Sequence, residues 1–148
     1  MTVIADRESD IFEAFALRPD GVELLVRAAH DRSLDDGQAL FAAIDAAPVV
    51  GRAELTLPAK PLGPGPGRRR RTARLEARFA PVTLARPKHG RRAGLPAGVR
   101  LTLVDIREAD PPPDTPPIHW RLLTTRAVTD VADAWAVAEL YRRRWAIE

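Results

Sequence analysis

Val22-Glu23-Leu24-Leu25-Val26-Arg27-Ala28-Ala29 is the stretch that decides the fold. It has strand length, and its nearly unbroken apolar character suits a strand covered on both faces, as in the middle of an α/β sheet. Upstream, Val3-Ile4-Ala5 is a second short apolar run that stops at Asp6. A helix is expected between the two, capped near Ser9, turning Ile11, Phe12, Phe15 and Leu17 toward a core and ended by Pro19 and Gly21. Downstream, Leu34 to Ala47 reads as a helix with Leu40, Phe41 and Ile44 on one side and Pro48 as its stop. From Val49 the period changes toward two. Val50, Ala53, Leu55 and Leu57 approximate alternation; Thr72 to Ala85 and Val99 to Ile106 read as strands, with Pro/Gly-rich loops at 61–67 and 87–98. The stretch Asp110 to Pro117 holds five prolines and is a linker. Trp120 to Thr125 is a strand, and Asp130 is the expected N-cap of a last helix through Glu148. The pattern implies three segments: 1–47, a β-rich 48–118, and 119–148.

A chain of 148 residues, 45% hydrophobic and 29% charged, can bury a core of its own and has the balance of an ordinary globular domain. No apolar run reaches the roughly 18 residues of a membrane helix. The start carries no basic run ahead of an apolar one, unlike a signal peptide. The absence of cysteine excludes disulfides, thiolate zinc sites and a cysteine nucleophile. His30, His89 and His119 have no metal-ligand spacing, and Ser9, His30 and His119 form no triad pattern. Trp135 and Trp145 are assigned to the core.

The net charge of +3 is unevenly spread. Residues 1–47 carry ten acids against four arginines, residues 48–101 thirteen bases against two acids, and residues 102–148 eight acids against six arginines. A basic middle of this kind points to a polyanion, most commonly nucleic acid. The basic clusters Arg68-Arg69-Arg70-Arg71 and Arg86-Pro87-Lys88-His89-Gly90-Arg91-Arg92 fall at expected turns, where they would touch a DNA backbone. The acidic flanks would repel phosphate unless a cation stood between.

In the last helix Tyr141, Arg144 and Glu148 follow at i, i+3 and i+7, on one face with Val137, Leu140 and Ile147. A tyrosine, an arginine and a carboxylate in an apolar stripe are unusual for a surface helix. An Arg144–Glu148 pair at i, i+4 would by itself be a common feature of little energetic weight. The order, however, matches the first three members of the motif Y-(2)-R-(3)-E-(6)-K, and Asp6-Arg7-Glu8-Ser9-Asp10-Ile11 looks like the "DRE-x-D" block of the same family. His119-Trp120-Arg121-Leu122-Leu123-Thr124-Thr125 resembles, more weakly, the strand that leads into its catalytic helix. On these residues the sequence resembles the insertion-sequence-four group of DDE transposases, from Asp6 to Glu148.

The resemblance implies an RNase H-like fold: a mixed sheet flanked by helices, with a β-rich insertion before the last helix. It makes Asp6 and Glu148 catalytic and metal-binding carboxylates, holding Mg²⁺ or Mn²⁺ for phosphodiester hydrolysis and strand transfer in DNA transposition. Tyr141 and Arg144 would orient Glu148 or contact a phosphate. Trp120 would stack on a DNA base, and Arg27 is a further candidate phosphate contact. The implied partners are DNA, at transposon ends and target, and a second copy in the full-length protein. The implied setting is the bacterial cytoplasm, at the nucleoid when DNA is bound. The family's first aspartate, expected upstream of Asp6, and its lysine, seven residues past Glu148, have no counterpart here. The expectation is therefore a partial catalytic domain, incomplete at both ends and inactive alone. The alternative is a non-catalytic DNA-binding or interaction remnant that uses the basic middle.

Overall fold

The computed structural model describes residues 2–5, 11–59, 70–87 and 94–147, with backbone alone at Ala5, Ile11 and 144–147. The order of elements is β1 (Thr2–Ala5), α1 (Ile11–Ala16), β2 (Glu23–Arg27), α2 (Leu40–Asp45), β3 (Gly51–Leu57), β4 (Arg71–Ala85), β5 (Gly98–Glu108), β6 (His119–Thr124) and α3 (Val131–Ile147). The six strands form one mixed sheet in the order β1-β2-β6-β5-β4-β3. β1 and β2 are parallel, with Ala5 beside Val26, and every other neighbouring pair is antiparallel. The chain is thus α/β, and the β-rich segment 48–118 adds β3, β4 and β5 to the same sheet that holds β1, β2 and β6. No described helix is long and apolar enough to cross a membrane.

Each face has its own core. On one, Phe12 and Phe15 of α1 and Leu40 and Ile44 of α2 pack with Val26, Val82, Leu84, Leu101, Leu103 and Leu123. On the other, Ala134, Val137, Ala138 and Tyr141 of α3 pack with Leu25, Leu75, Ala77, Val104, Ile106, Trp120 and Leu122. Alternation along each strand delivers successive side chains to opposite faces. Leu103 and Val104, like Leu122 and Leu123, are therefore consecutive and all fully buried. Each such side chain contributes roughly 1.5–3 kcal/mol. The segment 22–29 behaves as its composition implies: Leu25 belongs to one core and Val26 to the other.

Local chemistry sets the ends of the elements. Asp130 caps α3 by accepting a hydrogen bond from Asp133 N at 2.9 Å, and the Asp133 carboxylate accepts in return from the Thr129 N–H at 3.0 Å. The helix expected over Leu34–Ala47 is shorter, covering Leu40–Asp45. Gly37 takes a positive φ of 87°, Asp36 Oδ1 accepts from Gln38 N at 2.9 Å, and Leu34 bridges to Leu84 at the sheet. Asp-Asp-Gly makes a turn there, and turn chemistry overrides the apolar spacing. Pro81 lies within β4 because β3 ends its pairing at Ala77, so no β3 residue needs the missing N–H.

Gly51 opens β3 directly beneath the start of α3. A Cβ at this position would stand 2.5 Å from Val131 Cγ2 and 3.3 Å from Trp135 Nε1. Gly51→Ala should lower stability by about 1–3 kcal/mol through overpacking. Urea unfolding will measure it, and Gly51→Ala combined with Val131→Ala should recover part of the loss.

Candidate functional site

The parallel pairing of β1 with β2 and the packing of α3 on the same sheet bring three of the expected site residues to one corner. Arg27 ends β2, one position past the partner of Ala5, the last residue of β1. Its Nη1 donates to Tyr141 Oη at 3.2 Å and its Nη2 to the His119 carbonyl at 3.2 Å. The guanidinium carbon lies 5.9 Å from the Tyr141 ring centre, a cation–π distance. Tyr141 in turn meets Trp120 edge to face, 5.5 Å between centroids. Arg27 has no carboxylate partner among the described residues and remains half-buried. Residues 114 positions apart are thus joined by a hydrogen bond at the end of the parallel pair. Trp120 is only 5% exposed and belongs to the core beneath α3. Its ring is thus occupied by packing, with little face left for a base.

Asp6, Glu148, Arg68 and Arg69 lie outside the described residues, and Arg144 is described by its backbone alone. Arg70 is exposed and has no carboxylate partner among the described residues. Arg71, expected at a loop tip, is instead the first residue of β4. Its guanidinium grips the Glu108 carboxylate with two nitrogens, Nη2 to Oε1 at 3.0 Å, and Glu108 also accepts from Ile118 N at 3.1 Å. That carboxylate is 2% exposed, and the Arg71 hydrogen bond holds it below the usual range. Other arginines of the basic middle are also engaged within the fold. Arg78 donates to the Ala47 carbonyl and Arg86 to the Leu95 carbonyl, while Arg52 pairs with Glu76 and Arg74 with Asp110.

The sequence reading missed a second cluster, on the opposite face from Tyr141. Asp105 of β5 is fully buried. Arg107 Nε and Nη2 donate to its two oxygens at 2.7 and 2.9 Å, and His119 Nε2 lies 2.9 Å from Oδ2. Arg107 also reaches Asp45 of α2 at 2.7 Å, and Arg121 stacks over Phe41 at 4.0 Å. Burial pushes the Asp105 carboxyl up. The hydrogen bonds and charges of His119 and Arg107 together outweigh that, so it stays below the usual range. The same bond to Asp105 raises Arg107. The sequence shows only a lone carboxylate in the apolar run Leu103-Val104-Asp105-Ile106; the basic residues beside it emerge with the register of β5 against β6. His119 joins the two clusters, since its side chain meets Asp105 while its carbonyl meets Arg27.

Among the described residues, no three His, Asp or Glu side chains form a group able to hold a cation. The sequence matches no family model.

Asp105 should give the fold a marked acid limit. Its folded pKa lies below the ordinary value near 4, so its contribution is complete at neutral pH. The contribution is lost as pH falls below the ordinary carboxylate range and through the lower folded value. Asp105→Asn should cost on the order of 3 kcal/mol at pH 7 and flatten this decline, as read from urea midpoints across pH. A decline as steep as that of the wild type would place the acid limit in other carboxylates.

Proposed function

We propose that the chain is part of the catalytic domain of a DDE-type DNA transposase on an RNase H-like fold. The observation that carries this reading is the corner at the end of the parallel pair. β1, the strand that leads to Asp6, ends beside β2, and Arg27 of β2 hydrogen-bonds Tyr141, the first member of the Tyr-Arg-Glu motif on α3. Two motifs at opposite ends of the sequence are thereby led toward one edge of one sheet. This supports a reading in which Asp6 and Glu148 share a metal. The donor set of Asp6 and Glu148 consists of hard carboxylate oxygens, which suit Mg²⁺ or Mn²⁺. A metal held there would activate the attacking oxygen of phosphodiester hydrolysis and strand transfer.

The chain's own residues have definable tasks in this reading. Arg27 and Tyr141 lock α3 to β2, which fixes the rotation of the helix about the motif's first residue. The Trp120 ring buttresses Tyr141 from beneath. The partner is DNA, contacted through Arg68, Arg69 and Arg70. The alternative of a DNA-binding remnant acting through the whole basic middle draws less support, because Arg71, Arg78 and Arg86 are turned to partners within the fold.

Mn²⁺ titration followed by water-proton relaxation tests the metal site without reference to activity. Asp6→Asn and Glu148→Gln should each weaken binding at least about tenfold, an estimate for loss of one of two carboxylate ligands. Wild-type affinity in either variant removes that residue from the site.

DNA binding has a separate check. Changing Arg68, Arg69 and Arg70 together to alanine should lower duplex affinity and reduce the salt slope by roughly 0.9 for each phosphate no longer neutralised. Arg71→Ala should leave the slope unchanged and cost about 2–3 kcal/mol of stability instead, since it strands Glu108.

A further inference from the structure

β3 is one edge of the sheet, hydrogen-bonded to β4 on one side and to no described strand on the other. An edge of seven residues is a template for another strand, and proteins usually guard such edges with proline or with charged side chains, lysine above all. Gly51–Leu57 has no proline and no lysine within it, and the two charges it carries are opposite. Arg52 and Glu54 are two residues apart, so they stand on one face, and both are exposed. We infer that β3 is a self-recognition edge, pairing antiparallel with β3 of a second copy about a two-fold axis at Ala53.

Charge complementarity selects both the occupant and the register. A two-fold axis normal to the sheet keeps the faces aligned. Centred on Ala53, it sets Arg52 opposite Glu54 of the second copy, and Glu54 opposite the second Arg52. Side chains so placed have Cβ atoms about 4.5–5.5 Å apart. Centring on Arg52 or on Glu54 would instead bring like charges together. The register within the chain extends the argument, because Arg107 lies beside Glu76, Glu76 beside Arg52, and Glu54 beside Arg74. Across the two-fold axis one row therefore reads Arg107, Glu76, Arg52, then Glu54 and Arg74 of the second copy. Signs alternate through the interface without a break.

The other face agrees. Leu55 would lie opposite Gly51 of the second copy, beside the Val131 and Trp135 side chains that cover that glycine. Leu55 also borders an apolar cleft between β3 and α3, lined by Ala53, Leu75, Trp135 and Ala138. A second strand laid on the edge would extend this cleft with its own Ala53 and Leu55. The inference is independent of the transposase reading, because it needs neither DNA nor metal.

Charge reversal at the two exposed positions tests it. Arg52→Glu leaves two carboxylates on the edge, and Glu54→Arg leaves two guanidinium groups, so each variant repels its own copy. Sedimentation equilibrium of the 148-residue chain should give a concentration-dependent species of twice 16.3 kDa for the wild type. Each variant alone should dimerise at least about tenfold more weakly. An equimolar mixture of the two should recover the dimer, since each then offers the opposite charge. Circular dichroism of each variant reports that it is folded before mixing. A wild type that stays monomeric, variants that dimerise as the wild type does, or a mixture that stays monomeric would each overturn the inference.

Discussion

The architecture depends on β6 being paired on both sides. β1 and β2 make a parallel pair of only four and five residues, and a parallel ribbon of that size has too little covered surface to persist unsupported. β6 supplies the missing neighbour. It pairs Leu123 with Val26 on one side and with Leu103 on the other, joining a segment near the start of the chain to the long β4–β5 hairpin. Leu122, Leu123 and Thr124 are fully buried in consequence. The Thr124 hydroxyl donates to the Leu24 carbonyl at 3.0 Å, so even its polar atom serves the β2 contact.

That constraint also explains how α3 finds its place. The helix follows β6 after a short turn and must return over the face carrying Trp120 and Leu122. Gly51 allows its first turn to sit close to β3, and Tyr141 reaches Arg27 further along the same helix. The two clusters on opposite faces are then tied through one residue, His119, at the start of β6. A disturbance of Asp105 on one face has a direct route, through the His119 backbone, to the Arg27–Tyr141 contact on the other.

The sequence was most legible where periodicity and capping agreed. The strands at 72–85 and 99–106 show alternation, and Asp130 marks the last helix; each appears close to its expected bounds. The segment 34–47 misled because Leu34 and Leu40 are both core residues reached by different means, one by a bridge to the sheet and one by a short helix. Gly37 was the sign of the turn, and the apolar spacing around it carried less information. Of the candidate site, the type of each residue was legible but not its neighbours. Nothing local states that Arg27 meets Tyr141, because that contact is created by strand order. Asp105 was passed over because an isolated acid in an apolar run gives no sign of its partners until the register of β5 against β6 is known.

Arginine content by itself says little about what this chain binds. With 21 arginines and two lysines, the same side chain must serve both inward and outward tasks. Its planar fork of five donors suits carboxylates and carbonyls inside the protein as well as phosphates outside it. The distinction lies in what compensates the charge. Arg71 and Arg107 have buried carboxylates, Glu108 and Asp105, and their charge is cancelled within the fold. Arg27 has only neutral acceptors among the described residues, a phenol and a carbonyl. A half-buried cation so placed leaves a positive field at the end of β2, beside the end of β1. Such a field falls off slowly in a partly desolvated corner and favours an anion there, whether a carboxylate or a phosphate. The two hydrogen bonds explain the guanidinium's donors, but no described group compensates its charge.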